Sequence, residues 1–324
     1  MSSTDTNKRN RLTAFGPVWD SAGVRGFSRE GYWYHKYVPG LSFEGSIFVT
    51  KTVTTWRNRG NTPLTSAHEP RELFPKSVIP YFQKDMVLNS AGLSNPGFMA
   101  FLNPKSWFSI TDPFFISFTP IEDEDDRRVE IEVRQFIDTL KRALDEKRFA
   151  SKQIALQLNL SCPNSGDYRK LIEKARAILD ELSRLGIPIV VKLNLLVKPE
   201  AAAEIATHPA CTGLCTSNSI PFGEVLPESW WRENFGHSSP LAKRGFTNGG
   251  LSGAPLRNEV IAWIRQFRRF DTETYINAGG GILQPCDVDM LRDEGADSVF
   301  IGSVAILRPW RVRSIIQRAH EIFN

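Results

Sequence analysis

The chain has 324 residues, of which 41% are hydrophobic and 23% charged, and its Lys and Arg exceed Asp and Glu by a net charge of +4. That mixture belongs to a soluble globular protein long enough for two domains or one large α/β barrel, and it excludes a disordered chain. No basic block or aromatic-and-basic stripe marks a nucleic-acid reader, no run approaches the ~18 apolar residues that span a bilayer, and four cysteines are too few for a disulfide scaffold.

Met1 to Arg11 is polar and reads as an N-terminal tail ahead of a single barrel domain over 12–324; it carries neither a secretory signal nor a membrane anchor, so a cytoplasmic protein is expected. Short β-rich runs then follow at Pro17–Asp20, Ser46–Thr50, Phe114–Phe118, Ile154–Leu160, Ile187–Leu193, Gly213–Ser217, Thr274–Ala278 and Ser298–Ile301. These are about eight, the number a (β/α)8 TIM barrel needs. Helical periodicity at 128–147, 168–185, 259–270, 287–294 and 311–323 alternates with them, as βα repetition requires. Two stretches interrupt the pattern. Residues 60–84 hold Pro63, Pro70, Pro75 and Pro80, which suits an excursion or a lid, and residues 221–257 carry Trp230, Trp231, Phe235 and His237 before a glycine cluster. Both are expected as inserted loops at the C-terminal face of the barrel. The acidic run 122–126 reads as a solvated helix start.

Polar residues break the apolar pattern at the strand ends, where barrel enzymes carry their chemistry. Ile154–Leu160 opens into Ser161-Cys162-Pro163-Asn164, so a thiol stands between the carboxamides of Asn159 and Asn164. A thiol can ionise and move a proton, and each Asn offers a donor and an acceptor to a flat polar substrate. The same residues also form ordinary loops, so this hexapeptide alone does not decide. Lys51 follows the second run, Lys192 ends the fifth, and Asn218-Ser219 end the sixth. Two lysines at equivalent positions favour a bound anion or an electron-rich ring. Gly279-Gly280-Gly281 after the seventh run and Gly302-Ser303 after the eighth suit backbone capture of a phosphate, and Gly249 to Gly253 offers a third patch or a flexible turn. The spread suits a long cofactor such as FMN, with its phosphate in the glycine turns and the two lysines near its ring. No Rossmann fingerprint is present. Cys211 and Cys215 are four apart with no His at finger spacing, which argues against a metal site; with Cys286 they read as buried thiols. A phosphate-binding lyase with Lys51 or Lys192 as a Schiff-base amine, and a non-catalytic barrel, are the alternatives from other classes.

In combination and order, Val49-Thr50-Lys51-Thr52, Asn89-Ser90-Ala91-Gly92-Leu93-Ser94-Asn95-Pro96-Gly97, Asn159 to Asn164, Val191-Lys192-Leu193, Ser217-Asn218-Ser219, Gly249 to Gly253 and the terminal glycine pairs form a specific set. From about Phe15 to Pro309 the chain resembles the dihydroorotate dehydrogenases, and more broadly the FMN barrels that include the pyrimidine-reducing domain of dihydropyrimidine dehydrogenase. The resemblance implies oxidation of dihydroorotate to orotate in pyrimidine biosynthesis, with Cys162 as the general base and hydride passing to flavin N5. It makes Asn89, Asn159, Asn164, Asn218 and Ser219 the pyrimidine and carboxylate contacts, with Lys51 facing substrate and flavin alike. It places Lys192 and Asn159 at the flavin, with Ala22, Gly23 and Thr52 close by. Ser217, Gly253, Gly280, Gly281, Gly302 and Ser303 complete the ribityl and phosphate contacts. Membrane-bound members use Ser as base, so Cys162 resembles the soluble class, and a homodimer is implied. The acceptor is left open between fumarate in the same site and NAD through a partner with FAD and an iron-sulfur cluster. Two departures stand out. The loop after Asn164 is short for a lid, and the aromatic stretch 230–237 is large enough to replace that lid or to reshape the pocket for another dihydropyrimidine or ene substrate.

Overall fold

A computed structural model describes residues 3–121, 126–161 and 168–323. Cys162, Asn164 and most of the acidic run fall outside these residues. Eight strands form one parallel sheet: β1 (Val18–Asp20), β2 (Phe48–Val49), β3 (Phe114–Phe118), β4 (Ile154–Asn159), β5 (Ile189–Leu193), β6 (Cys211–Thr216), β7 (Tyr275–Ala278) and β8 (Ser298–Ile301). Neighbours in sequence are neighbours in space, and β1 pairs with β8. The ring closes where the Asp20 amide donates to the Ile47 carbonyl at 2.8 Å and the Ile47 amide donates to the Val18 carbonyl at 2.8 Å. This is a (β/α)8 barrel, with the strands where the apolar runs put them to within two residues.

Strands buried on both faces read as near-continuous apolar runs, and the two-residue period then separates the faces. Phe114, Ile116 and Phe118 of β3, Leu156 and Leu158 of β4, and Ile189, Val191 and Leu193 of β5 belong to the core shared with the outer helices. Trp19, Phe115, Ala155, Val190, Cys215, Tyr275 and Phe300 form a second core inside the ring. Trp19 and Phe115 lie 4.4 Å apart, centroid to centroid, and Phe15 lies 4.6 Å from Phe115. Two residues further along the same strands, and four in the case of Asn159, the inward positions turn polar: Ser117, Gln157, Asn159, Lys192 and Asn277 are all buried. The barrel therefore has an apolar floor and a polar upper layer.

The segment expected as a polar tail is the first helix, Ser3–Thr13, and it closes that floor. Leu12 and Phe15 are buried in the inner core. Lys8 donates to the carbonyls of Ala206 and His208 at 3.3 and 3.1 Å, and Arg9 pairs with Asp297. Apolar periodicity misses such a helix because polar side chains reaching loop carbonyls supply most of its anchors.

The two interruptions meet in an antiparallel sheet that no sequence pattern announced. Its strands are Val78–Tyr81, Met86–Asn89, Gly250–Gly253 and Ile220–Pro221, in that spatial order. Pro80 and Pro221 lie on its two edge strands, where a missing amide costs no ladder bond, and Gly250–Gly253 carries only Leu251 as an apolar signal. The patch expected from Gly249 to Gly253 is thus largely strand. The aromatic stretch also differs from expectation. Helix Glu228–Phe235 buries Trp231 and Phe235 against Phe222 and Tyr81, with centroids 4.6 Å apart for Trp231–Phe222 and 5.5 Å for Tyr81–Phe235. Cys211 and Cys215 are buried in β6, where burial pushes both thiols up to about 12, whereas Cys286 is exposed, contrary to its reading as a buried thiol. Among the described residues no helix is long and apolar enough to cross a membrane.

The closed floor gives a direct expectation. Leu12→Ala should lower unfolding free energy in denaturant by about 2–5 kcal/mol, the cost of a cavity in a packed core. A loss below ~0.5 kcal/mol, typical of a surface site, would show that the helix is not part of the floor.

Candidate active site

A cavity of about 1250 Å³ opens at the C-terminal ends of the barrel strands. Every site residue read from the sequence that lies among the described residues borders it. Ala22 and Gly23 come from the turn after β1, Lys51 and Thr52 from the turn after β2, Asn159 from β4 and Lys192 from β5. Ser217, Asn218 and Ser219 follow β6, Gly280 and Gly281 follow β7, and Gly302 and Ser303 follow β8. Asn89 and Gly253 arrive from the small sheet. Residues 230–237 do not border the cavity, so the aromatic stretch packs behind the small sheet without facing a ligand.

A chain of hydrogen bonds runs across the polar layer. Asn218 Nδ2 donates to Asn159 Oδ1 at 2.6 Å and to Ser161 Oγ at 3.3 Å, and Asn159 Nδ2 donates to Thr52 Oγ1 at 3.1 Å. Thr52 Oγ1 lies 2.9 Å from Ser117 Oγ, and Ser161 Oγ donates to the Lys192 carbonyl at 3.2 Å. Four strand ends are thereby tied at side-chain level, and the carboxamides of Asn159 and Asn218 are held in one orientation. A network satisfied in this way rigidifies the groups it presents.

Two cations lie against the network. Lys51 Nζ sits 4.9 Å from the centroid of Phe27, and Lys192 Nζ sits 5.2 Å from that of Phe300. Burial holds the Lys51 ammonium down to about 8, against the opposing charge of Glu30. Phe27, Glu30 and Phe300 were not read from the sequence. Phe300 was legible in principle, because it shares the inward face of β8 with Ser298; Phe27 and Glu30 lie in a loop with no period to mark them.

The glycine turns converge on one side of the cavity. Gly253 has φ +111°, and a β-carbon there would collide with the Asp85 carbonyl oxygen. Gly281 has φ +91°, and a β-carbon there would stand 3.0 Å from the Gly253 carbonyl oxygen and 2.8 Å from Arg257 Cβ. These positions need glycine for conformation and for space. Asp287 fixes the turn after β7: it accepts from Arg257 Nη1 at 2.7 Å and from the amides of Leu283 and Gln284 at 2.8 and 3.1 Å. Gly302 and Ser303, from the neighbouring β8 turn, line the same cavity.

The family model for dihydroorotate dehydrogenase matches residues 10–323. The chain belongs to that family. Among curated proteins, it is 26% identical over 312 residues to the catalytic subunit of dihydroorotate dehydrogenase B (NAD(+)) from Caldicellulosiruptor saccharolyticus, covering 92% of this chain and 87% of that one. It is 27% identical over 230 residues to dihydroorotate dehydrogenase A (fumarate) from Lactobacillus delbrueckii subsp. bulgaricus, covering 68% of this chain and 67% of that one. Among solved structures, DHODH from Eimeria tenella in complex with ferulenol superposes with a TM-score of 0.68 at 19% identity, over 95% of this chain and 81% of that one, which bears on the fold.

Within this dehydrogenase-family barrel, Lys51 makes stability pH-dependent in a stated direction. Its value in the fold, about 8, lies below the ordinary 10.5, so between those pH values the unfolded chain binds the extra proton and stability rises with pH. The ligand-free Lys51→Met variant should therefore melt above wild type at pH 7, with the gap narrowing as pH approaches 10.5. A gap that does not change with pH would show that Lys51 is not held in this way.

Proposed function

We propose that the chain oxidises dihydroorotate to orotate with FMN as cofactor, one ring carbon giving up a hydride with both electrons and the adjacent carbon giving up a proton. The observation that carries the reading is the convergence, in one cavity, of a glycine cradle, two lysines and the bonded carboxamides of Asn159 and Asn218. The residues present fit FMN. The cavity, at about 1250 Å³, exceeds the ~300–1,000 Å³ of ordinary ligand sites, and the turns at Gly253 and Gly281 pack so closely against Asp85 and Arg257 that only glycine backbone can line it there. Gly253, Gly280, Gly281, Gly302, Ser303 and Ser217 would hold the phosphate and ribityl chain, with Lys51, Lys192, Thr52, Asn159, Ala22 and Gly23 around the ring. Bound there, FMN supplies a two-electron acceptor for hydride.

The protein's own work is binding, orientation and proton removal. Asn89, Asn159, Asn164, Asn218 and Ser219 offer paired donors and acceptors to the pyrimidine amides and to the carboxylate, and Lys51 offers a cation to it. The bonds from Asn218 to Asn159 and from Asn159 to Thr52 support the reading, because they pre-set the carboxamides before substrate arrives. Cys162 takes the proton from the carbon next to the one that gives hydride. A thiol of ordinary value, about 8.5, is only a few per cent thiolate at neutral pH. The relatives named for NAD and for fumarate leave two acceptors to compare. Turnover with NAD would require a partner carrying FAD and an iron-sulfur cluster, since this chain has neither the cysteine set nor the fingerprint for them. A homodimer completes the proposal.

One observation favours a second reading. A lysine held at about 8, as Lys51 is, has the free amine needed for a Schiff base, and borohydride trapping with a carbonyl substrate would favour it. The purified protein should instead be yellow. Its anaerobic flavin reduction by dihydroorotate should accelerate as pH rises through the thiol range, and Cys162→Ala should keep FMN while losing that reduction. A colourless protein that cannot be reconstituted with FMN sinks the flavin reading, and an alanine variant as fast as wild type removes Cys162 as the base.

A further inference from the structure

The small sheet brings Asn89 and Gly253 to the cavity, and its strand Val78–Tyr81 lies beside the helical turn Val304–Leu307 that follows Gly302 and Ser303. A two-pronged side-chain contact links the same two parts. Asp85 occupies the turn between Val78–Tyr81 and Met86–Asn89 in a left-handed conformation, φ 51° and ψ 40°. Its carboxylate accepts a forked pair of bonds from Arg308, Nε to Oδ1 at 3.0 Å and Nη2 to Oδ2. Its carbonyl accepts from the Ala254 amide at 2.8 Å, and its backbone lies against Gly253. On the other side, Arg308 follows the helical turn Val304–Leu307 that starts after Ser303, is bonded back to the Val304 carbonyl at 2.8 Å, and borders the cavity.

We propose that Asp85 and Arg308 form a positioning pair that fixes the small sheet, and with it Asn89 and Gly253, relative to the β8 turn carrying Gly302 and Ser303. The register makes the coupling direct: Met86 pairs with Gly253 and Asn89 with Gly250, so a shift at Asp85 moves both strands together. The pair is a quarter to a third exposed, at 30% for Arg308 and 25% for Asp85. A pair so screened contributes little to global stability, whereas a two-pronged Arg–carboxylate contact fixes distance and angle. Its role is therefore geometric. It sets the span of a cradle assembled from two separate parts of the fold, and a phosphate-bearing ligand can be held from both sides only at the right span. The structural part of this proposal stands on the contacts alone, and its consequence for FMN rests on the function proposed above.

Arg308→Lys keeps the charge and loses the fork, while Asp85→Asn keeps a residue that tolerates the left-handed backbone. In both variants, amide hydrogen exchange at residues 86–89 and 250–254 should quicken while β4 keeps its protection and the melting temperature stays close to wild type. FMN affinity, read by quenching of flavin fluorescence, should weaken about tenfold, with kcat recovered at saturating FMN, and the double variant should be no weaker than the poorer single one. Unchanged exchange in both segments, FMN affinity within about twofold of wild type, additive losses, or kcat that saturating FMN does not restore would each overturn the pair's role. A wild-type chain that takes no FMN would overturn the flavin reading instead, and the exchange measurement would still decide the pair.

Discussion

The constraint on which everything else depends is the change of character along the inward face of the barrel. Trp19, Phe115, Val190 and Tyr275 fill the lower ring with side chains and leave no room for a ligand. Ser117, Gln157, Asn159 and Lys192 on the same faces are buried as deeply but carry bonding groups. Burying such groups is costly unless each finds a partner. The bonds linking Asn218, Asn159, Thr52 and Ser117 are how the fold meets that cost, and they leave the carboxamides oriented at the foot of the cavity. The packed floor and the preset site are thus one arrangement seen from two ends.

Legibility in the sequence followed the same division. The strands β3, β4 and β5 announced themselves because both faces are apolar over much of their length, and the polar residues ending them could be picked out as exceptions to that run. The three glycines after β7 were visible for a related reason: only tight, close-approach turns call for several in a row. The small sheet was hidden because its central pairing joins Met86–Asn89 to Gly250–Gly253, far apart in sequence, with edge prolines and glycines in place of alternating apolar residues. The first helix was hidden because polar side chains anchor it. Glu30 and Phe27, which set the surroundings of Lys51, sit in a loop whose conformation only the assembled barrel decides.

The small sheet changes how the cavity is understood. A barrel alone offers groups from its strand ends, all on one rim. The sheet adds a second wall, with Asn89 on one strand and Gly253 on the next, and both excursions that looked like surface loops are needed to build it. The aromatic helix 228–235 belongs to this wall as its outer packing layer, which explains its size without giving it contact with a ligand. Asn89 and Gly253 thus reach the cavity from a sheet separate from the barrel that supplies its other wall.

The central claim is that this two-walled cavity selects a carboxylated dihydropyrimidine for oxidation. Anaerobic stopped-flow reduction of the bound flavin by dihydroorotate, beside dihydrouracil and dihydrothymine, tests it most directly. The account predicts rapid bleaching of the flavin band with dihydroorotate and reduction more than about 100-fold slower with the two analogues, because neither can satisfy the groups that await a carboxylate. Equal rates for all three, or faster reduction by an analogue lacking the carboxylate, would contradict it.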